Sequence, residues 1–158
     1  MKSEIYDKIK NILDGNNINY REIHHEPTRT SIESAEARRE PLEVGGKSIL
    51  LKVDDTFMLF VLSASLKIDS RKIRKQFKAK NIRFATPEEL NSLAGLEPGA
   101  VPPFGRPVLP FELYIDNSIL KNSRIAFNAG TLTDSIVMST KDYFSIANPA
   151  GVFNFSKE

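Results

Sequence analysis

Apolar positions change period several times along the chain, and the changes mark out the elements. Ile5, Ile9, Ile12 and Leu13 recur at helical spacing and Gly15 follows as a stop, which predicts a first helix. An extended run, 19–23, comes next. Thr30-Ser31-Ile32-Glu33 has the capping-box form, a hydroxyl followed three residues later by a carboxylate, and predicts a short helix to about Arg39. After Gly45-Gly46, two β-rich runs, 47–53 and 56–63, are separated by Asp54-Asp55 and read as a hairpin. The second run, FMLFVL, is apolar throughout, so it should lie in a sheet covered on both faces.

Asp69 is placed to cap a basic helix over 70–80, with Ile73 and Phe77 on its buried side. A short strand at 82–85 precedes Thr86-Pro87-Glu88-Glu89, the clearest local signal, which combines a capping box with proline in the first turn. That helix should end at Ala94-Gly95. Residues 96–110 hold five prolines and two glycines, which no regular element accommodates; a stiff loop is expected. Apolar runs at 111–115, 124–128 and 135–138 follow, and Thr140 is placed to cap a last helix over 141–147, stopped by Asn148-Pro149. Helices thus interleave with strands that include an antiparallel hairpin. The expected class is α+β: one domain over 1–158, with a mixed, mostly antiparallel sheet, curled or closed into a barrel, and helices around it.

Composition narrows the chemistry. With 158 residues and 41 % hydrophobic content, the chain can bury a core without disulfides or structural metal. Cys is absent, which removes thiolate catalysis and Cys-ligated metal. The two histidines, His24 and His25, are adjacent and lack ligand spacing, so no metal site and no cofactor is expected. A net charge of +2 allows at most a local basic face. No signal peptide or membrane span is visible, and a cytoplasmic protein is expected. There is no nucleophile elbow and no His apart from that pair to serve a serine. Gly45-Gly46-Lys47-Ser48 has the ending of a phosphate loop, but a strand follows it where such a loop needs a helix.

Four features remain. Lys47 begins a strand; it is either a solvated strand-end lysine or a cation at a cleft mouth that neutralises phosphate or carboxylate. The run Gly99, Ala100, Val101, Pro102, Pro103, Phe104, Gly105 is either a tight surface connection or a rigid wall whose amides hold a carbonyl oxygen as it gains charge. Asn128, Ala129 and Gly130, leading to Asp134, form either a hairpin turn or a pocket-lining strand end. His25 is either a local hydrogen-bonding residue or a site residue.

Taken in order, HEPTRTSIESAEARREPLEVGGKSILLKV (25–53), RFATPEELNSLAGLEPGAVPPFG (83–105) and RIAFNAGTLTDSIVM (124–138) resemble the YbaK/prolyl-tRNA synthetase-associated editing-domain family. The resemblance spans nearly the whole chain and is to a free-standing member. It implies the fold of that family and a trans-editing deacylase that hydrolyses a mischarged aminoacyl-tRNA, most readily tRNA(Pro) carrying Cys, Ala or another small amino acid. It further implies Lys47 as the active-site lysine, Gly99 and Pro103 as the G-x-x-x-P loop, and Asn128-Ala129-Gly130 at a later pocket-lining position. Some relatives have His-Pro where this chain has Asn128-Ala129. The implied partners are the acceptor end of the tRNA and prolyl-tRNA synthetase, with no membrane. Arg71, Lys72, Arg74, Lys75, Lys78 and Lys80 form a basic face that either meets the tRNA backbone or is merely solvated. The alternative to catalysis is a non-catalytic module that binds a tRNA end or an aminoacyl ligand and regulates a synthetase.

Overall fold

A computed structural model describes residues 4–158. In chain order the elements are α1 (Glu4–Gly15), β1 (Tyr20–His24), α2 (Ser31–Arg38), β2 (Gly46–Val53), β3 (Thr56–Ser63), β4 (Lys67–Ile68), α3 (Ser70–Phe77), β5 (Ile82–Phe84), α4 (Pro87–Ala94), β6 (Glu112–Asp116), β7 (Arg124–Asn128), β8 (Asp134–Ser139), α5 (Thr140–Ala147), β9 (Gly151–Phe153) and β10 (Ser156–Lys157). Short 3₁₀ turns cover Leu42–Val44 and Asn117–Lys121.

β3 is the middle strand of a five-stranded sheet ordered β5-β2-β3-β6-β9. Its alternate residues serve two cores, because successive side chains leave opposite faces. Leu59 and Val61 join the larger cluster with Leu50, Leu113 and Ile115. Phe60 and Leu62 join the smaller one with Leu51, Val53 and Ile73. The expectation that FMLFVL is covered on both faces holds for this reason. The larger core continues through Tyr6, Ile9 and Leu13 of α1, Tyr143 of α5, and Ile125, Phe127, Ile136 and Met138 of β7 and β8. The smaller core lies under α3 and carries an aromatic cluster in which Phe60 stacks on Tyr114 at 5.5 Å and meets Phe155 edge-on at 5.2 Å.

The β2–β3 hairpin is antiparallel with Lys47 opposite Leu62, whereas β6 pairs in parallel with both β3 and β9. A second sheet of three antiparallel strands is ordered β1-β8-β7, and β4 pairs with β10. The class is α+β as expected, but no sheet closes, so the barrel alternative is corrected. The parallel steps through β6 and β9 leave β5 and β9 as edges.

Local signals hold in detail at α2 and α4, where both capping boxes form. Two expectations change. The basic helix ends at Phe77, since Lys78 turns left-handed with φ 52° and donates to the Arg74 carbonyl; Lys78 and Lys80 therefore lie beyond it. Ser139, not Thr140, caps α5, because its side chain accepts from the Asp142 amide. The short strands β4, β9 and β10 carried too little pattern to be predicted.

Glu89 ties α4 to β5. It accepts two hydrogen bonds from Arg83 at 2.7 and 2.9 Å and one from the Thr86 amide at 2.9 Å. The Arg83 guanidinium, with the Thr86 amide, pulls its carboxyl down to about 2. A depressed folded pKa stabilises the fold above the unfolded value near 4.5 and loses that stabilisation as pH falls toward 2. Glu89→Gln should therefore lower stability at pH 7, and its deficit against wild type should shrink between pH 4.5 and 2. Urea denaturation across that range checks it; a pH-independent deficit counts against the ion pair.

Candidate functional site

The site begins where β2 begins. A Cβ on Gly46 would stand 2.6 Å from Ile125 Cδ1, and one on Gly45 would stand 3.0 Å from Ala64 Cβ. Only glycine lets this strand end lie against β7, where Gly45 forms a parallel bridge with Ala126. The contact brings the two sheets together and delivers Lys47 and Ser48 beside Asn128.

There a pocket opens, enclosing roughly 510 Å³ with its mouth. α2 supplies Ser31, Ser34 and Arg38, the segment before it supplies Arg29 and Thr30, β2 supplies Gly46, Lys47 and Ser48, and the proline-rich loop supplies Gly99 and Val101. Arg29, Arg38 and Lys47 line it, and no Asp or Glu does. An apolar chamber of roughly 520 Å³ adjoins it, sharing Ser48, Gly99 and Val101 and walled by Leu50, Phe84, Pro87 and Leu90. The two chambers together offer a cationic recess next to a greasy one.

Lys47 is half-buried and has no hydrogen bond or ion pair among the described residues. Burial, and then repulsion from Lys67, lower its pKa below the ordinary lysine value. Arg38 is only 6 % exposed, and burial pushes it down to about 10 against a partial counter-effect of Glu40. Its Nε donates to Ser135 Oγ at 2.8 Å and its Nη2 to Asn128 Oδ1 at 3.0 Å. Asn128 Nδ2 donates to the Gly99 carbonyl at 2.7 Å. One side chain thus fastens the buried arginine to the loop.

The loop is held at several other points. The Gly130 amide donates to the Ala100 carbonyl at 3.0 Å, Tyr143 Oη to the Pro103 carbonyl at 2.6 Å, and the Val108 and Leu109 amides to the Gly105 carbonyl. Phe104 meets the rings of Phe127 and Tyr143 edge-on, each at 5.5 Å. Gly99 has φ +90°, a conformation that favours glycine, and exposes its backbone to the pocket. The amides of Gly99 and Val101 have no protein partner among the described residues. Ser48 Oγ is likewise buried without a hydrogen-bond partner there.

The residues singled out from the sequence therefore fall into three groups. Lys47, Gly99, Val101 and Asn128 converge on the cationic pocket. Ala100, Pro102, Pro103, Phe104, Gly105 and Ala129 are buried behind it and shape the loop. Gly130 borders a different, shallow hollow with Ala100 and Thr131. His25 and Asp134 stand on the far side of the Asn128 network. His25 Nδ1 faces the Glu26 carbonyl and its Nε2 faces Ser135 Oγ, both at 2.8 Å, so both ring nitrogens are engaged. Asp134 is bound by His24, Thr131 and Thr133, and its carboxyl is held below the ordinary value by those hydrogen bonds against the opposing effect of burial. Arg29, Arg38, Ser34 and Ser48 were missed. Arg38 sits in an ordinary polar helix sequence, SIESAEAR, and no spacing distinguishes it from its exposed neighbour Arg39.

The sequence model of the aminoacyl-tRNA editing domain matches residues 25–146. The multifunctional Ser/Thr-tRNA deacylase ProXp-y of Escherichia coli (strain K12) is 29 % identical over 153 residues, covering 93 % of this chain and 90 % of that one. A proline–tRNA ligase of Macrococcus caseolyticus is 26 % identical over 107 residues, covering 68 % of this chain and 18 % of the ligase. Among solved structures, a candidate trans-editing enzyme for prolyl tRNA synthetase superposes with a TM-score of 0.82 at 23 % identity over the full length of both chains. Hypothetical protein APE2540 superposes with a TM-score of 0.83 at 19 % identity, covering 95 % of this chain and 99 % of that one. With the editing-domain match running from His25 across the pocket to α5, this chain belongs to the aminoacyl-tRNA editing domain family.

Proposed function

We propose that the protein removes a small amino acid, such as Cys, Ala or Ser, wrongly esterified to tRNA(Pro), with Lys47 and the 99–105 loop as the working parts. The observation that carries this reading is a pocket whose lining includes three cations and no carboxylate, opening into an apolar chamber. An aminoacylated 3′ terminus has that same division: an anionic ribose-phosphate end and a small side chain.

The ester is already activated, so attack needs positioning and charge stabilisation rather than a protein nucleophile. A water, assisted by a hydroxyl of the substrate, adds to the acyl carbon and gives up a proton. The bond to the ribose oxygen breaks, the free amino acid leaves, and the ribose oxygen takes back a proton. Lys47, which has no partner among the described residues, holds the terminal nucleotide. The unpartnered Gly99 and Val101 amides are available to hold the carbonyl oxygen as it gains charge. Val101 stands between the two chambers and limits the size of side chain admitted.

A basic track supports tRNA as the partner. Lys67 lies close enough to Lys47 to depress its pKa, and Lys157 pairs opposite Lys67. Arg71, Arg74 and Lys75 continue the track, exposed, along α3. Editing is needed because a synthetase pocket gains only about 1–3 kcal/mol per methylene in telling small amino acids apart.

A panel of tRNA(Pro) charged with Cys, Ala, Ser, Thr and Pro tests the reading with purified protein. Release of one or more small amino acids with Pro-tRNA spared is expected; binding without turnover would favour a regulatory module instead. Lys47→Ala should lower kcat/KM by about tenfold or more, the scale for losing one charge-assisted contact to the substrate, with the melting temperature little changed. Full activity in that variant would remove Lys47 from the reaction. Val101→Ala should shift the ratio of kcat/KM toward the larger side chains by about tenfold per added methylene, and an unchanged ratio would exclude the loop as the sieve. Lys75→Glu combined with Lys157→Glu should raise KM for charged tRNA and flatten its salt dependence by about one unit per lost phosphate contact, while leaving hydrolysis of an aminoacyl-adenosine unchanged.

A further inference from the structure

We infer that Arg38 is the fixed element of a phosphate site in the pocket, receiving on its Nη1 edge the phosphate 5′ to the terminal adenosine. The inference rests on the reading that the pocket takes a charged tRNA end, and it assigns to a second residue a task that Lys47 alone cannot perform with fixed geometry.

A buried guanidinium ordinarily sits against a carboxylate, since an unpaired buried charge is strongly destabilising. Arg38 is 6 % exposed, yet both of its hydrogen-bond partners are neutral: Ser135 Oγ and the Asn128 amide oxygen. The carboxylate that influences it, Glu40, is already committed to Arg21 at 2.8 Å and Arg124 at 2.7 Å. Nη1 has no hydrogen-bond partner among the described residues. It lies beside the glycine turn, where a Cβ on Gly45 would stand 3.6 Å from it. The position at the last turn of α2 favours a cation, but a helix terminus supplies no acceptor to Nη1.

The guanidinium is also immobilised. Asn128 holds its Nη2 and, with its own Nδ2, the Gly99 carbonyl, so the arginine and the loop keep one spacing. A planar guanidinium held at two corners offers its third to an anion in a set direction; a lysine ammonium on a free stem acts as a point charge. Arg29, which also lines the pocket, is 69 % exposed in its side chain and 3.9 Å from Glu97, and so contributes field rather than geometry. A phosphate is the anion of choice because the substrate brings one at fixed distance from its ester, and because an amino acid carboxylate is absent until the ester is cut.

The wild-type protein provides the first test. Titration with 5′-AMP should shift the Arg38 side-chain nitrogen resonances and bind about tenfold or more tightly than adenosine, the difference expected for a charge-assisted hydrogen bond. Adenosine should leave those resonances in place. Arg38→Gln should lower the preference for 5′-AMP about tenfold or more, and Arg38→Lys should restore part of it. In kinetics, Arg38→Gln should raise KM for mischarged tRNA about tenfold or more, a loss larger than the one it causes on a 3′-aminoacyl-adenosine lacking phosphate. Equal losses on both substrates, or Arg38 resonances unmoved by 5′-AMP in the wild type, overturn the assignment. Should Arg38→Gln fail to fold, the wild-type titration decides alone. A wild type that prefers 5′-AMP but hydrolyses no charged tRNA would refute the deacylase reading and leave the phosphate site standing.

Discussion

Everything functional in this molecule depends on how closely the start of β2 approaches β7. Two glycines permit it: with any side chain at Gly46, Ile125 would have to move, and with one at Gly45, Ala64 would be crowded. The approach is a seam that bridges a five-stranded sheet and a three-stranded one, which also share the larger core. It also puts a strand-end lysine, a helix-end arginine and a strand-end asparagine around one hollow. Interiors pack too densely for such a seam to shift by fractions of an ångström without consequence.

Electrostatics follow from that seam. Burial penalises the charged form of Arg38 and Lys47 alike, and among the described residues neither is hydrogen-bonded to a carboxylate, Glu40 acting on Arg38 only through its field. The two cations differ in kind. Arg38 is fixed by neutral hydrogen-bond partners that also reach the loop, whereas Lys47 has no partner among the described residues. Uncompensated positive charge in a recess is a stored cost that an anionic ligand relieves, and it raises the local concentration of such ligands at the pocket mouth. Carboxylates are present nearby, but Glu40 and Asp134 are tied up by arginines and by His24 with two threonines, away from the hollow.

The proline-rich loop contributes shape. Its carbonyls are taken by Asn128, Gly130 and Tyr143, its Phe104 is sunk between two rings, and only Gly99 and Val101 reach the pocket. Most of the residues in the 99–105 run thus act from behind, by holding two amides and one small side chain in place. Packing of this kind would give the proposed hydrolytic sieve its size limit.

The sequence by itself determined the elements whose signals are local. Capping boxes at Thr30 and Thr86, the two-faced apolar strand 56–63, the hairpin turn at Asp54-Asp55 and the stop at Gly95 all act through neighbours within a few residues, so they were readable one segment at a time. Residue motifs likewise pointed to Lys47, Gly99 and Asn128. Tertiary structure alone decided the rest: that the sheets stay open, that His25 and Asp134 turn to a hydrogen-bonded cluster behind the pocket, and that Arg38 rather than Arg39 is buried. Those outcomes rest on contacts between residues about 90–110 positions apart, Arg38 with Asn128 or His24 with Asp134. No local period encodes a contact of that range; it exists only once the glycine seam has closed.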